Sequence, residues 1–186
     1  MIPVGTTISS PQTGETLTFR STKESSNGEV FRAEVVMQPG KYVTRSHVHL
    51  KQEERFVVLE GKFGWCIGKN TGVAGPGETL VAPIGVPHHQ WNAGDTPMRF
   101  YYEHRPALES AEIFFETQFG LSRDGKLKPK DSDFSLLQGV VLLEVVSDFI
   151  RPANPPVWLQ KIVFPVLAPL GRMLGLRARY ARYKLG

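Results

Sequence analysis

Four of the five histidines stand in two short clusters, His47-Val48-His49 and His88-His89, and a carboxylate, Glu54, follows the first cluster. Imidazoles and a carboxylate together suit a borderline divalent ion such as Fe, Mn, Co, Ni or Zn. On an extended strand, residues two apart share a face, so His47 and His49 turn both rings to one side of a sheet. Glu54, at the start of the next candidate strand, can point its carboxylate back toward that side, and His88 can complete the set from across the fold. Glu53 competes with Glu54, because neighbours on a strand face opposite ways and only one can coordinate. Four protein ligands on an octahedral ion leave two positions for water, a bidentate substrate, or a substrate with dioxygen. With Fe(II) that vacancy suits oxidation by dioxygen; with Zn or Mn the ion acts as a Lewis acid that polarises a carbonyl.

The elements that must hold these residues are short strands. From Thr6 to about Arg105 the chain is cut every several residues by Gly, Pro or Asn, and the pieces between are rich in Val, Ile, Phe, Tyr and Thr. The predicted strands are Thr16–Ser21, Val30–Met37, Tyr42–His49, Arg55–Leu59, Lys62–Ile67, Thr79–Ala82, His88–Asn92 and Arg99–His104. Their close spacing leaves no room for crossover helices, so an antiparallel sandwich or barrel follows. After Pro106 the texture changes. Ala107–Phe119 has helical spacing, 122–133 reads as a polar loop, and Leu136–Ile150 reads as a mostly buried helix ended by Pro152, Pro155 and Pro156. Trp158–Lys184 reads as one or two amphipathic helices with a basic face. The expected division is residues 1–105 as a β domain and 106–186 as a helical C-terminal extension.

The spacing of the histidines resembles a known family. Gly40, six residues, His47-x-His49, four residues, Glu54, six residues and Gly61 resemble the first cupin motif, with one extra residue after the opening glycine. Gly77, five residues, Pro83-x-Gly85, two residues, His88, three residues and Asn92 match the second cupin motif at every fixed position. The resemblance covers roughly residues 15–105 and implies a mainly β fold, an antiparallel jelly-roll barrel, with His47, His49, Glu54 and His88 as ligands of one divalent metal ion. The spacing to Gly61 favours Glu54 over Glu53. Similarity to cupin dioxygenases suggests an oxidoreductase whose small-molecule substrate chelates the metal, with Glu54 doubling as a catalytic proton acceptor. The alternatives are a Lewis-acid isomerase, epimerase or lyase, and a non-enzymatic small-molecule-binding protein. The family's common pairing through barrel strands implies a homodimer, and fold alone does not fix the reaction.

Composition bounds these readings. The chain has 186 residues with 41% hydrophobic and 22% charged, which is globular usage. Residues 1–105 carry 11 basic and 10 acidic groups, whereas 151–186 carry 7 basic and none acidic, so the net charge of +4 belongs to the C-terminus. That tail reads first as a solvated helix face and second as a contact for a membrane surface or an acidic partner. Nucleic acid is not an expected partner, since the arginines lack a recognisable reading module. Lys161 and Arg172 interrupt the apolar window Val157–Leu176, and Pro165 and Pro169 are expected to break its helix, so it is not read as a membrane span. The single Cys66 and the absence of an export-like N-terminus point to the cytoplasm. Cys66 reads as a small strand residue. His89 is read as a surface residue or a support behind the site, His104 as structural with a pocket role as the alternative, and Phe56, Val58, Phe63, Trp65, Trp91 and Tyr101 as core or pocket wall.

Overall fold

The computed structural model describes residues 2–40, 44–127 and 134–185. Among them the strands are β1 (Thr7–Ser10), β2 (Glu15–Ser21), β3 (Phe31–Met37), β4 (His47–Val48), β5 (Glu53–Glu60), β6 (Phe63–Ile67), β7 (Asn70–Ala74), β8 (Thr79–Ala82), β9 (His88–Asn92), β10 (Met98–Arg105) and β11 (Arg151–Pro152). The helices are α1 (Glu109–Arg123), α2 (Leu136–Val146) and α3 (Val157–Met173), and a 3-10 turn spans Ala181–Tyr183. One antiparallel sheet has the order β1-β2-β3-β10-β5-β8 and the other β11-β4-β9-β6-β7.

A period of two builds both sheets. In β3 the run Phe31-Arg32-Ala33-Glu34-Val35-Val36-Met37 buries every other side chain. Its outward Glu34 instead pairs with Arg20 at 2.7 Å and Arg99 at 3.1 Å. The inward residues of the two sheets meet face to face: Phe56 of β5 and Phe63 of β6 have ring centroids 5.0 Å apart, as do Phe63 and Phe100 of β10. Neither sheet closes on itself, so the jelly-roll expectation is met as far as two facing antiparallel sheets. Gly61, with φ +82°, turns the chain from β5 to β6 where a Cβ would stand 2.9 Å from Met98 Cα. Only glycine satisfies both conditions.

The core does not stop at Arg105. Ala107, Ala111, Phe115 and Phe119 around α1, with Phe149 beyond α2, join the cluster that contains Phe19, Phe31 and Phe100. Helix α3 lies on α2 so closely that a Cβ on Gly171 would meet Val141 Cγ2 at 2.6 Å.

Several expectations are corrected. Of the predicted strand Tyr42–His49, residues 42 and 43 lie outside the described residues, and only His47–Val48 is strand. Half of the predicted loop 122–133, residues 128–133, also lies outside them, while Ser122 and Arg123 extend α1. Strands β1, β7 and β11 were not expected, because Thr7–Ser10 and Asn70–Ala74 are polar and Arg151–Pro152 is only two residues long. Pro165 and Pro169 sit inside an unbroken α3. The helix runs on because its ends are held elsewhere: buried Gln160 donates to Pro152 O at 2.7 Å and Pro155 O at 2.6 Å, and Gly171 seats on α2. Trp91 and Tyr101 are half-buried on outward positions, with the Trp91 indole lying over Gly64, whereas half-buried Trp65 shares the phase of Phe63, lies over Gly72 and packs against the core. Phe56, Val58 and Phe63 do lie in the core.

Candidate metal centre

Strand phase decides which glutamate turns inward. In β5 the burial alternates so that Glu54, Phe56 and Val58 face the interior, and Glu54 is fully buried. Glu53 faces out and pairs with Arg55 at 3.3 Å. On the facing sheet His47 of β4 is registered directly opposite His88 of β9. His49 follows two residues on, and its carbonyl accepts from Gly85 N at 2.8 Å. Gly85 has φ +77°, which fits the turn before β9. The donor atoms of His47, His49, Glu54 and His88 all lie within 4.8 Å of one another, and all four residues are buried.

The rings are oriented from behind. His47 Nδ1–H donates to Arg45 O at 2.8 Å, His88 Nδ1–H to Val86 O at 2.8 Å, and His49 Nδ1–H to Phe149 O. A carbonyl on Nδ1 fixes the tautomer and turns the Nε2 lone pair inward. His49 Nε2 then stands 3.0 Å from Glu54 Oε2 and His47 Nε2 3.5 Å from it, with His88 Nε2 closest of the three. His47 Nε2, His49 Nε2 and Glu54 Oε1 are buried without a hydrogen-bond partner among the described residues. Lone pairs facing a carboxylate in a dry interior are unfavourable unless a cation lies between them. The donor set therefore fits a divalent ion.

Electrostatics agree with that fit. Burial pushes the His47 imidazole down to about 4, which keeps its lone pair free at neutral pH. For Glu54 burial is the largest single influence and works upward, but the charges of His88 and His49 outweigh it and hold the carboxyl well below the carboxylate range. Burial also pulls His88 down, yet the Glu54 carboxylate raises it overall.

Residues 33–102 match the family model described as the cupin domain. The chain carries a cupin domain. Solved structures match the chain in part. They include KdgF from Halomonas (17% identity, 53% of this chain and 84% of that one, TM-score 0.47) and an RmlC-like cupin from Shewanella frigidimarina (19%, 56% and 86%, 0.47). A cupin described as a sugar phosphate isomerase from Silicibacter pomeroyi is another (21%, 50% and 60%, 0.44). Among curated proteins, none matches the chain.

The cupin site holds more than the four predicted residues. His104, expected to be structural with a pocket role as the alternative, lies fully buried with Nε2 3.8 Å from Glu54 Oε1 and its ring against His49, Tyr102 and Phe149. The inward phase Met98, Phe100, Tyr102, His104 was the signal that could have found it. The Phe149 carbonyl behind His49 had no signal, being a backbone group 100 residues away. His89 is half-buried and turns to Trp91, away from the group.

A cavity of about 560 Å³ reaches the cupin donor group at His47. Leu17, Val35, Phe100 and Tyr102 of the sheets line one side, and Phe115, Phe119, Val140 and Phe164 of the three helices line another. Its polar lining includes Gln90 and Thr44, whose buried Oε1 and Oγ1 have no hydrogen-bond partner among the described residues. It also reaches Glu15, which is registered opposite Met37, whereas Phe31 lies opposite His104 in the layer of Glu54. Those two layers are six positions apart along β3, or about 20 Å of strand.

Proposed function

We propose that the protein is a metal-dependent enzyme of the dioxygenase type, acting on a small, largely apolar organic molecule that meets His47, His49, Glu54 and His88 with an oxygen-bearing end. The cavity carries this reading. At about 560 Å³ it has the size of a small-molecule site, and it is elongated, phenylalanine-walled and in contact with the donor group. Arg45 and Glu15 are its only charged linings besides His47 among the described residues, which favours an apolar substrate over a free sugar. A divalent ion held by the four residues would supply Lewis acidity, and iron would add the chemistry of dioxygen. The protein's own groups divide the remaining work. Gln90 Oε1 and Thr44 Oγ1 accept from the polar end of the substrate, the helices keep water from its body, and Glu54 would take up the substrate's proton.

The test is metal analysis of protein purified without added metal, followed by oxygen uptake with catechol-like and diketone compounds bearing apolar substituents. About one ion per chain is expected, with uptake that rises with the apolar substituent and disappears in His88→Ala. Iron-loaded protein that consumes no oxygen across the screen would overturn the reading. Zinc- or manganese-loaded protein that isomerises or cleaves such compounds without oxygen would replace it with the Lewis-acid alternative.

A further inference from the structure

Helix α3 is apolar on the side that faces away from the protein. At 100° per residue, Gln160, Phe164, Ala168 and Gly171 share one side, which seats on α2 and the cavity. Trp158, Ile162, Pro165, Val166, Pro169 and Met173 share the other and are exposed, Val166 by 73% and Met173 by 83%. A surface helix normally presents charge there. The expectation of a basic outer face is thus corrected: Lys161 and Arg172, eleven residues apart, lie together on one flank of the apolar face, where Arg172 pairs with Glu144 of α2, and Arg177 and Lys184 follow beyond the helix. Lys161, Arg177 and Lys184 have no acidic partner among the described residues, and residues 151–186 contain no acid at all.

We propose that α3 and the basic segment after it seat the protein on the surface of an anionic lipid bilayer, with the α3 axis in the plane of the interface. An apolar strip edged by cations, with an indole at one end, is the pattern that binds such a surface. Among the described residues no helix is long and apolar enough to cross a membrane, and the proposed seat of α3 is the bilayer surface. A second copy of the chain fits this strip less well. Seventeen residues give a helix of about 26 Å, and a strip about 10 Å wide offers about 260 Å², against about 800 Å² per partner for a stable interface. The inference is independent of the reaction proposed above.

The test uses the full chain with vesicles of phosphatidylcholine alone or with 30% phosphatidylglycerol, read by co-sedimentation and by tryptophan emission. Binding at least tenfold stronger to the anionic vesicles is expected, weakened by 0.5 M salt, with a blue shift that Trp158→Phe removes. Val166→Asp combined with Met173→Asp should abolish binding with metal content and Tm unchanged. Lys161→Glu with Arg177→Glu, which leaves the apolar strip intact, should lose the preference for anionic vesicles. Absence of vesicle binding, equal binding to both compositions, or a wild-type dimer in sedimentation that Val166→Asp dissociates would overturn the proposal.

Discussion

Both ring nitrogens of His104 are buried without a hydrogen-bond partner among the described residues, and only Glu54 Oε1, at 3.8 Å, is an acceptor within ion-pair range. Burial drives its basicity well below the ordinary imidazole range, so the ring is neutral and polar in a largely apolar niche between Phe31, Tyr102 and Phe149. An unsatisfied buried polar group costs about 1–3 kcal/mol. His104→Phe should therefore stabilise the metal-free protein, seen as a higher Tm in chelator. The same change removes the donor that can steady Glu54, and loss of such a partner weakens metal binding by about 10–100-fold. Opposite signs in thermal melts and metal titrations are expected; a drop in both would make His104 a packing residue only. Glu15 gives the second residue-scale prediction. Burial in the cavity wall raises its carboxyl to about 7, against a hydrogen bond from Thr13 that works downward. In the fold it keeps a proton that the unfolded chain has released, so its contribution to stability is present at low pH and lost as pH climbs toward about 7. Glu15→Gln should raise Tm by a few degrees at pH 8, with the gain shrinking toward pH 5. The four clustered residues were legible in the sequence because strand phase and motif spacing both mark them. His104 was legible only as an inward residue, because its neighbours Phe100 and Tyr102 on the same phase made a structural reading sufficient.

At the scale of elements, strands were legible where apolar and polar residues alternate, as in β3, β5 and β10. They were hidden where pairing alone makes the strand, as in β1, whose buried Ser10 is held by Ser122 of α1 at 2.7 Å. Helix α3 shows the same limit from the other direction. Proline predicts a break from local geometry, and tertiary seating at Gln160 and Gly171 carries the helix through. The C-terminal turn depends on one glycine in another element. A Cβ on Gly120 of α1 would meet Tyr183 Cγ at 2.2 Å, and the Tyr183 hydroxyl donates to Asp124 Oδ2 at 2.6 Å. Gly120→Ala should push the tyrosine off its seat, a form of overpacking that costs about 1–3 kcal/mol. Limited trypsin digestion checks this: cleavage at Arg177, Arg179 and Arg182 should quicken at least tenfold while the cupin segment stays intact.

The whole molecule joins two parts that the sequence presents as separate: sheets that gather a donor group, and helices that wall the cavity leading to it. Gly139 of α2 lines that cavity, and a Cβ there would meet only Phe134 Cβ, at an ordinary 3.7 Å. A Cβ fits at this position without strain, and a leucine side chain extending from it would occupy space now open to a ligand. Replacing a mid-helix glycine also removes a helix penalty of about 1 kcal/mol. Gly139→Leu should raise Tm, leave metal content unchanged because no donor is touched, and raise KM for the apolar-substituted substrates at least tenfold. A purely structural role for the cavity predicts the first two results without the third. Unchanged KM in a more stable, fully metalled variant would mean that substrate reaches the donor group by another route, and that the helices only complete the core.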